Sequence, residues 1–260
     1  MKNILLGTIL GAGLVMPIKA ADVENNITTF PAKGIAGVDI RTNSALIYVE
    51  GSNNADIRVE QLPDNARVCD VTMKVADGRL LLQALDKAGK FKNVKTGFRV
   101  QLPAGIPVNA RANSNDVTLL NLAAHVEART NSGDLLLREI TGAIEAKTNS
   151  GDMQLRDIKG PVDAKTTSGD IKLENLSGSL SVITDSGNIE GNIKAPEKAV
   201  ILKTTSGDIE VTFPETAQIA VDAGTTSGKA KTDFPGKTGL PVTARTVSGD
   251  ILINKAGKQP

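Results

Sequence analysis

A short pattern of threonine, serine, glycine and aspartate recurs along the chain and contains residue types from which several kinds of active site are built. Its clearest copy is Thr148-Asn149-Ser150-Gly151-Asp152. Serine could act as a nucleophile, and stacked carboxylates could hold Ca²⁺, which takes about six to eight oxygen ligands. A glycine-rich loop could also cradle a phosphate. The copies lie at 113–116, 130–134, 148–152, 166–170, 184–188, 204–208, 225–229 and 246–250.

The spacing of the copies indicates an architecture before it indicates an active site. The aligned serines are separated by 18, 18, 18, 18, 20, 21 and 21 residues. They are Ser114, Ser132, Ser150, Ser168, Ser186, Ser206, Ser227 and Ser248. Self-similarity at a period of this size is typical of a solenoid, in which each repeat stacks on its neighbour.

Each repeat has the alternation expected of two short strands. In one coil the inward positions are Ile144, Ala146 and Thr148 before the corner, then Met153 and Leu155 after it, because the Gly-Asp step shifts the phase by one. We therefore predict an all-β, single-stranded parallel β-solenoid, or β-helix, with 18–21-residue coils. The right hand is expected because it is the default for parallel crossovers.

The chain divides into four predicted segments. Residues 1–20 resemble a secretory signal peptide, with Lys2, an apolar run and a cleavage site between Ala20 and Ala21. Residues 21–107 form an irregular N-terminal β region that covers one end of the solenoid. Regular repeats fill 108–254, and 255–260 is a frayed tail.

The N-terminal region contains a diverged coil and three further strand candidates. Residues 38–44 resemble 126–132, and alternating runs follow at 56–61, 69–75 and 79–85. Asp77-Gly78 between the last two runs predicts a hairpin. The polar stretch 86–95 is predicted to be an exposed loop.

The glycines of the repeated pattern are predicted to be structural. No Walker-type Gly-Lys-Ser/Thr is found in the sequence, whereas a tight corner needs the positive φ that glycine adopts freely. These corner glycines are Gly133, Gly151, Gly169, Gly187, Gly207, Gly228 and Gly249.

The aspartates that follow these glycines are predicted to be turn residues and not metal ligands. The nonapeptide of calcium-binding β-rolls is missing, and Lys229 replaces the acid in one coil. Aspartate beside glycine commonly bonds nearby backbone N–H groups. No metal and no other cofactor is therefore predicted.

No residue is predicted to be catalytic. His125 is the only histidine, and no nucleophile-elbow motif accompanies it. Cys69 lies in an apolar alternation and is interpreted as a small core residue. Because some β-helix enzymes cleave polysaccharides with carboxylates and a basic residue, a polysaccharide-active enzyme remains the alternative.

Charge and composition exclude some partners. The 30 basic and 29 acidic residues argue against nucleic acid, which demands a basic excess. On one strand face an acidic column (Glu127, Glu145) lies two residues from a basic column (Arg129, Lys147), which predicts diagonal ion pairs and a solvated surface.

A candidate binding edge lies where the repeat is broken. Extra residues occur in the second corner of the late coils, beginning at Phe213-Pro214 and Phe234-Pro235. The two phenylalanines occupy equivalent positions in consecutive coils, which are predicted to be adjacent. Insertions of this kind map to one face of a solenoid. The two phenylalanines either belong to that edge or fold inward to plug a widened corner, and burial statistics favour the inward arrangement.

The phrase Val100 to Arg111, VQLPAGIPVNAR, followed by iterated Ala-Lys-Thr-x-Ser-Gly-Asp-Ile-x-Leu units, resembles bacterial β-strand-repeat families of unknown function that are described as adhesins. The resemblance spans residues 38–254 and implies an exported, non-catalytic β-solenoid. It supplies no catalytic or binding residue.

Together these observations predict an adhesin-like binding or structural module of the cell envelope, in the periplasm, on the cell surface or secreted. The partner is expected to be an envelope protein or a glycan, with no transmembrane anchor in the mature chain and with the oligomeric state open. A second alternative is an envelope accessory protein that modulates a membrane regulator.

Overall fold

The structure, a computed structural model, describes residues 21–24, 26–62, 69–86 and 96–257. The expected leader, residues 1–20, and residues 87–95 of the predicted loop lie outside the described residues. The described part contains 22 strands. The N-terminal strands are β1 (Ala21–Glu24), β2 (Ile27–Pro31), β3 (Gly37–Thr42), β4 (Leu46–Ser52), β5 (Asp56–Leu62), β6 (Cys69–Ala76), β7 (Arg79–Asp86) and β8 (Gly97–Pro103).

The remaining strands belong to the repeats. They are β9 (Val108–Ala112), β10 (Val117–Leu120), β11 (Val126–Arg129), β12 (Leu135–Thr141), β13 (Ile144–Lys147), β14 (Met153–Lys159), β15 (Val162–Ser168), β16 (Ile171–Ser186), β17 (Ile189–Lys203), β18 (Ile209–Phe213), β19 (Ile219–Ser227), β20 (Ala230–Thr232), β21 (Leu240–Ser248) and β22 (Ile251–Lys255).

Equivalent strands of successive coils pair in parallel and in register, which confirms the predicted β-solenoid. β11 pairs with β13 so that Val126 meets Ile144 and Ala128 meets Ala146. We call the strands that enter the Ser-Gly corner the first face and those that leave it the second face. The second face stacks in the same way, with β12 on β14. In these two ladders, inward apolar residues therefore lie above inward apolar residues.

The core is a set of apolar columns that run along the stack. Ile144, Ala146, Met153 and Leu155 are each at most 3% exposed. Alternate residues of each strand point outward, as period-two alternation requires. A further buried column lies between the second-face column of Leu155 and the start of the next coil. It contains Leu122, Ile140, Ile158, Leu176 and Ile193.

The N-terminal region is a diverged coil flanked by antiparallel strands. β3 pairs in register with β9, Val38 opposite Val108, so the predicted early coil is confirmed. The strand candidates at 56–61, 69–75 and 79–85 correspond to β5, β6 and β7. β6 and β7 form the predicted hairpin, with Asp77 at φ 50° and Gly78 at φ 71° in the turn.

The order of the coils in space differs from their order in the chain at both ends. At the N-terminal end, β7 and β8 lie outside β3 and β4. At the C-terminal end, β17 pairs with β21, and β21 pairs with β19. The last coil of the chain therefore fills the space between the two coils that precede it.

This order corrects one expectation from the sequence. The coils that contain Phe213 and Phe234 were predicted to be adjacent because they are consecutive in the chain. β22 lies between them, since it pairs with β18 on one side and with β20 on the other. The extra residues at 214–218 connect β18 to β19 across the width of one coil, and the last coil of the chain occupies that space.

Candidate binding surfaces

The outward side chains of the first face form a continuous ladder of ion pairs. Arg111 contacts Glu127 at 2.9 Å, and Arg129 contacts both Glu127 at 2.7 Å and Glu145 at 2.8 Å. Lys147 extends the ladder by a contact of 2.5 Å with Glu145. These contacts confirm the predicted pairing of the acidic and basic columns. The charges from Arg111 to Lys147 are thus paired with one another within the chain.

Two groups on this face titrate away from their ordinary values. The Lys147 ammonium, by hydrogen bonding to Glu145, lowers the pKa of that carboxyl, and Arg129 adds to the effect. At the N-terminal end of the face, Asp39 accepts a hydrogen bond from Arg79 at 2.5 Å and raises the pKa of the guanidinium. Both shifts favour the charged forms of the paired groups.

The aspartates after the corner form a second ladder that runs along the edge between the two faces. Asp134 Oδ1 accepts the backbone N–H of Asp152 at 2.8 Å, and Asp152 Oδ1 accepts that of Asp170 at 2.9 Å. Each carboxylate therefore satisfies the corner of the next coil, as turn chemistry predicts. In the described residues, no group of three or more His, Cys, Asp or Glu side chains is arranged to hold a metal ion.

Lys229 lies at the end of this ladder. Its backbone N–H bonds to Asp250 Oδ1 at 2.8 Å, and Asp250 bonds in turn to Asp208. No described coil follows that of Lys229, so there is no further backbone N–H for which a side chain at position 229 would have to be the acceptor. A lysine in place of the acid is therefore compatible with the last position of the stack and marks it.

The corner glycines lie where a side chain has no room. At Gly169 φ is 152°, and an added Cβ would lie 2.1 Å from the carbonyl oxygen of Gly151. The same carbonyl accepts the hydroxyl of the buried Thr166 at 3.4 Å. Gly151, Gly187, Gly207, Gly228 and Gly249 also have positive φ and a carbonyl oxygen 2.0–2.1 Å from an added Cβ. Gly133 departs from the prediction, because its φ is not in the positive region. A side chain there is excluded by the carbonyl oxygen of Asn115 alone, 2.2 Å from an added Cβ.

Phe213 and Phe234 are brought together inside the solenoid. Their ring centroids are 6.2 Å apart at an interplanar angle of 83°, and the residues are 0% and 6% exposed. Lys255 Nζ lies 5.0 Å from the centre of the Phe234 ring. Of the two arrangements considered from the sequence, the structure has the inward one, so neither ring presents a surface to a ligand.

Three segments beside this pair are largely exposed. They are residues 194–199, which belong to β17, and the loops 214–218 and 235–239, and they contain exposed charges at Glu197, Lys198, Glu215 and Lys237. The three segments precede Val200, Val221 and Val242, which lie in three neighbouring coils. They therefore form an edge with both signs of charge beside the buried aromatic pair. We call residues 194–199, 214–218 and 235–239 the loop edge.

The other residues considered for chemistry are apart from one another. His125 is exposed in the second corner of its coil, and its carbonyl accepts the N–H of Val108. Cys69 is buried, and its thiol donates to Asp86 Oδ1 at 3.4 Å, while Ser44 donates to Asp86 Oδ2 at 2.5 Å. This carboxylate ties the N-terminal hairpin to the first coil. The candidate cleavage residue Ala20 lies outside the described residues.

Aromatic rings are not displayed on the described surface. Phe30, Phe98, Phe213 and Phe234 are buried. Tyr48 is half-buried, and the Arg99 guanidinium lies 5.6 Å from its ring centre. Burial is the main cause that raises the pKa of the Tyr48 hydroxyl, and the Glu50 carboxylate adds to it.

The end strand β19 was not singled out from the sequence. The reversed order of the last coils places β19 at the C-terminal end of the first face, which the spacing of the repeats alone does not show. The sequence signal was Lys229, the exception in the acidic column. In the structure, the reversed order is seen in Ser206, which pairs with Ser248 and not with Ser227.

A model of the Toastrack DUF4097 family matches residues 35–254 of the chain. No curated protein matches it significantly. Solved structures that align with it include the following two. A candidate cell adhesion protein from Clostridium sporogenes is 12% identical, with 88% of this chain and 97% of that chain covered and a TM-score of 0.27. A candidate adhesin from Bacteroides fragilis is 18% identical, with 88% and 95% covered and a TM-score of 0.37. The described part of the chain has no helix that could cross a membrane.

Proposed function

The chain belongs to the Toastrack DUF4097 family, and from that premise we propose that it is a non-catalytic, adhesin-like β-solenoid module that binds a protein partner in the cell envelope. The observation that carries the proposal is the loop edge. It interrupts an otherwise regular surface, and it lies beside the buried pair Phe213 and Phe234. Loops held by a rigid scaffold are the usual place for recognition.

The regular first face is a poor candidate for the same task. The charges from Arg111 to Lys147 are already paired with one another along the ladder. A partner would have to break these contacts and replace them. Exposed pairs of this kind contribute about 0–1 kcal/mol each, which makes them a solubilising surface more than a source of affinity.

A protein is the favoured class of partner over a glycan. Sugar rings are commonly bound by stacking on exposed aromatic side chains, and the described rings are buried or, in Tyr48, already covered by Arg99. The loop edge instead offers mixed charge and backbone polar groups, which suit a polar protein surface.

Export rests on the sequence of residues 1–20 alone. A partner in the envelope follows from export, and it includes the case in which the module modulates a membrane regulator. The polysaccharide-active alternative has less support, because the aspartates of the corner are engaged with backbone N–H groups of the neighbouring coil.

The test compares the wild-type chain with a loop variant that carries Lys198→Glu, Glu215→Lys and Lys237→Glu. The matched control carries Lys172→Glu, Glu190→Lys and Lys203→Glu, which makes the same change in net charge at exposed positions outside the loop edge. Each protein is immobilised and exposed to detergent-solubilised envelope proteins and, separately, to purified cell-wall glycan.

We expect a defined set of envelope proteins to be retained by the wild type and the control but lost from the loop variant, with no retention of glycan. Retention of glycan, or equal retention of proteins by all three chains, would contradict the proposal. Melting temperatures of the three chains establish that any loss of binding does not come from unfolding.

A further inference from the structure

The two ends of the solenoid are finished differently. At the N-terminal end, antiparallel strands cover the outermost coil, with β6 on β7 and β5 on β8. β2 then pairs with β5, and β1 with β2. At the C-terminal end, the described residues provide no strand beyond β19 and β20. The last coil is therefore left with open backbone edges.

The interior of that last coil is partly open as well. Val221 and Ala223 are half-buried, whereas the equivalent Val242 and Ala244 of the preceding coil are 0% exposed. The difference arises because Val242 and Ala244 have a coil on both sides. Covering the end would remove apolar surface from water, which is favourable at about 25 cal/mol for each Å².

The open edge of β19 has a defined set of backbone groups. Along the stack, inward residues donate their N–H toward the C-terminal end, as Val126 does to Ala143 at 2.9 Å and Leu240 does to Gln218 at 2.9 Å. In a parallel ladder the C=O of the same residue points the same way. The inward residues Val221, Ala223 and Thr225 therefore direct their N–H and C=O groups out of the end.

β19 also lacks the features by which edge strands usually avoid pairing. Such edges are short or carry lysine, proline or a bulge. β20 follows this rule, since it has three residues, is preceded by Lys229 and contains Lys231. β19 has nine residues, contains neither lysine nor proline, and carries Asp222 as its one charge.

Among the described residues, no segment covers the end coil. The described part of the chain ends at Gly257, just after β22, and β22 is the inner neighbour of that coil. Within this part β19 has a paired strand on one side only, and its other edge is open to a second molecule.

We propose that the C-terminal ends of two copies of this chain pair, with β19 antiparallel to β19 of the second copy and Ala223 on the two-fold axis. This register keeps inward residues inward in both copies. It places Ala223 opposite Ala223, and Val221 opposite Thr225. Because these residues direct both backbone groups outward, each pair exchanges N–H···O=C bonds in both directions.

The charges of the strand are self-complementary in this register. Asp222 lies opposite Gly224 of the second copy, which has no side chain to oppose it. Arg245, whose guanidinium bonds to Asp222 within the chain, also lies about 3.7 Å from the position of a Cβ at Gly224. Each Arg245 thus contacts Asp222 of its own chain and lies beside Gly224, the residue that Asp222 of the second copy faces. Pairing Asp222 with Asp222 would place two carboxylates in contact, so that register is disfavoured.

The first test is cross-linking at the two-fold axis, with Cys69→Ser in every chain so that the native thiol takes no part. Directly opposed residues in a hydrogen-bonded antiparallel pair have Cα atoms about 5.5 Å apart, within the range of a disulfide. Ala223→Cys should form a disulfide-linked dimer on mild oxidation, with a yield about ten-fold above that of Lys231→Cys, an exposed control at the same end.

The second test measures self-association without cross-linking. The wild-type chain should show a concentration-dependent monomer–dimer equilibrium in sedimentation velocity. Ala223→Pro removes an N–H that points out of the end, so it should abolish the dimer and leave the melting temperature nearly unchanged. Asp222→Arg should weaken the dimer, whereas Asp163→Arg, a matched change in the middle of the stack, should not.

A wild-type chain that stays monomeric up to its solubility limit, or equal cross-linking at positions 223 and 231, would overturn the proposal. If β19 pairs with a strand of a different protein instead, the wild-type chain is expected to stay monomeric. Neither outcome bears on the loop edge, so this inference and the proposed function can fail independently.

Discussion

Phe213 and Phe234 pack edge to face, although the coil that contains β22 lies between their own two coils. β22 lies between the strands that lead to the two rings, but it ends at Lys255, opposite Phe213. Of the described residues that follow Lys255, neither Ala256 nor Gly257 is buried. The two rings pack at a centroid distance of 6.2 Å, and Lys255 covers the Phe234 ring.

Truncation of this pair should therefore cost stability. We expect Phe213→Ala to lower the free energy of unfolding by about 3–5 kcal/mol, because a large buried ring leaves a cavity. Phe213→Leu should cost clearly less. Denaturant melts of the two variants measure the difference, and a Phe213→Ala chain as stable as the wild type would place the ring outside the core.

Substitution of a corner glycine should be costly for two reasons. Gly169→Val would place a Cβ 2.1 Å from the Gly151 carbonyl oxygen, and it would force a β-branched residue to φ near 152°. We expect a loss above about 2 kcal/mol. The nearby outward Lys165→Val should stay within about 0.5 kcal/mol. Similar denaturation midpoints for the two chains would contradict the corner geometry.

The aspartate ladder predicts which acids can be replaced. Asp170→Asn should be nearly neutral, because Asn188 already accepts the same bond from Asp208 in the next coil. Asp170→Ala should cost about 1 kcal/mol, since the Asn188 N–H loses its acceptor. Lys229→Ala should have no effect at the end of the ladder. Thermal melts of the three chains rank them, and a destabilised Lys229→Ala would be inconsistent with its terminal position.

Glu145 should contribute to stability in a pH-dependent way. Its native pKa is lowered from the ordinary value of 4.5 by Lys147 and Arg129, so the unfolded chain binds its proton more readily. This contribution is present above that value and is lost as the pH falls through the native pKa. Glu145→Gln should flatten the dependence of unfolding free energy on pH below about 4.5, by less than about 1 kcal/mol. An unchanged acid slope would show that the pair contributes nothing.

Much of the fold follows from residue spacing. The corner serines, the glycines and the alternation from Ile144 to Leu155 predict parallel coils, and the pairing of Val126 with Ile144 has the predicted register. The charged columns could be paired from their two-residue offset, because outward neighbours on stacked strands lie within reach. Asp77-Gly78 predicts its hairpin because both residues tolerate positive φ.

The order of the last coils could not be obtained in this way. The spacing of the repeats in the sequence is the same whether the last coil stacks at the end or between the two preceding coils. In either arrangement each strand pairs with an equivalent strand of a neighbouring coil. Lys229 reports the order only once the carboxylate ladder is known to need a following coil. The inward arrangement of Phe213 and Phe234 was favoured from the sequence, but the position of β22 between their coils was not predicted.

The reversed order of the last two coils is the claim on which both proposals depend, because it places β19 at the end and aligns the loop edge. It is tested most directly by disulfide formation among exposed positions 205, 226 and 247, in a chain with Cys69→Ser. Val247 donates its N–H to the Thr205 carbonyl at 3.3 Å, whereas Thr226 lies one strand further away. Neighbouring strands are about 4.8 Å apart, and a disulfide spans Cα atoms up to about 7 Å apart. The account predicts a cross-link within one chain for Thr205→Cys with Val247→Cys and none for Thr205→Cys with Thr226→Cys. The opposite result would show that the coils stack in chain order and would contradict the account.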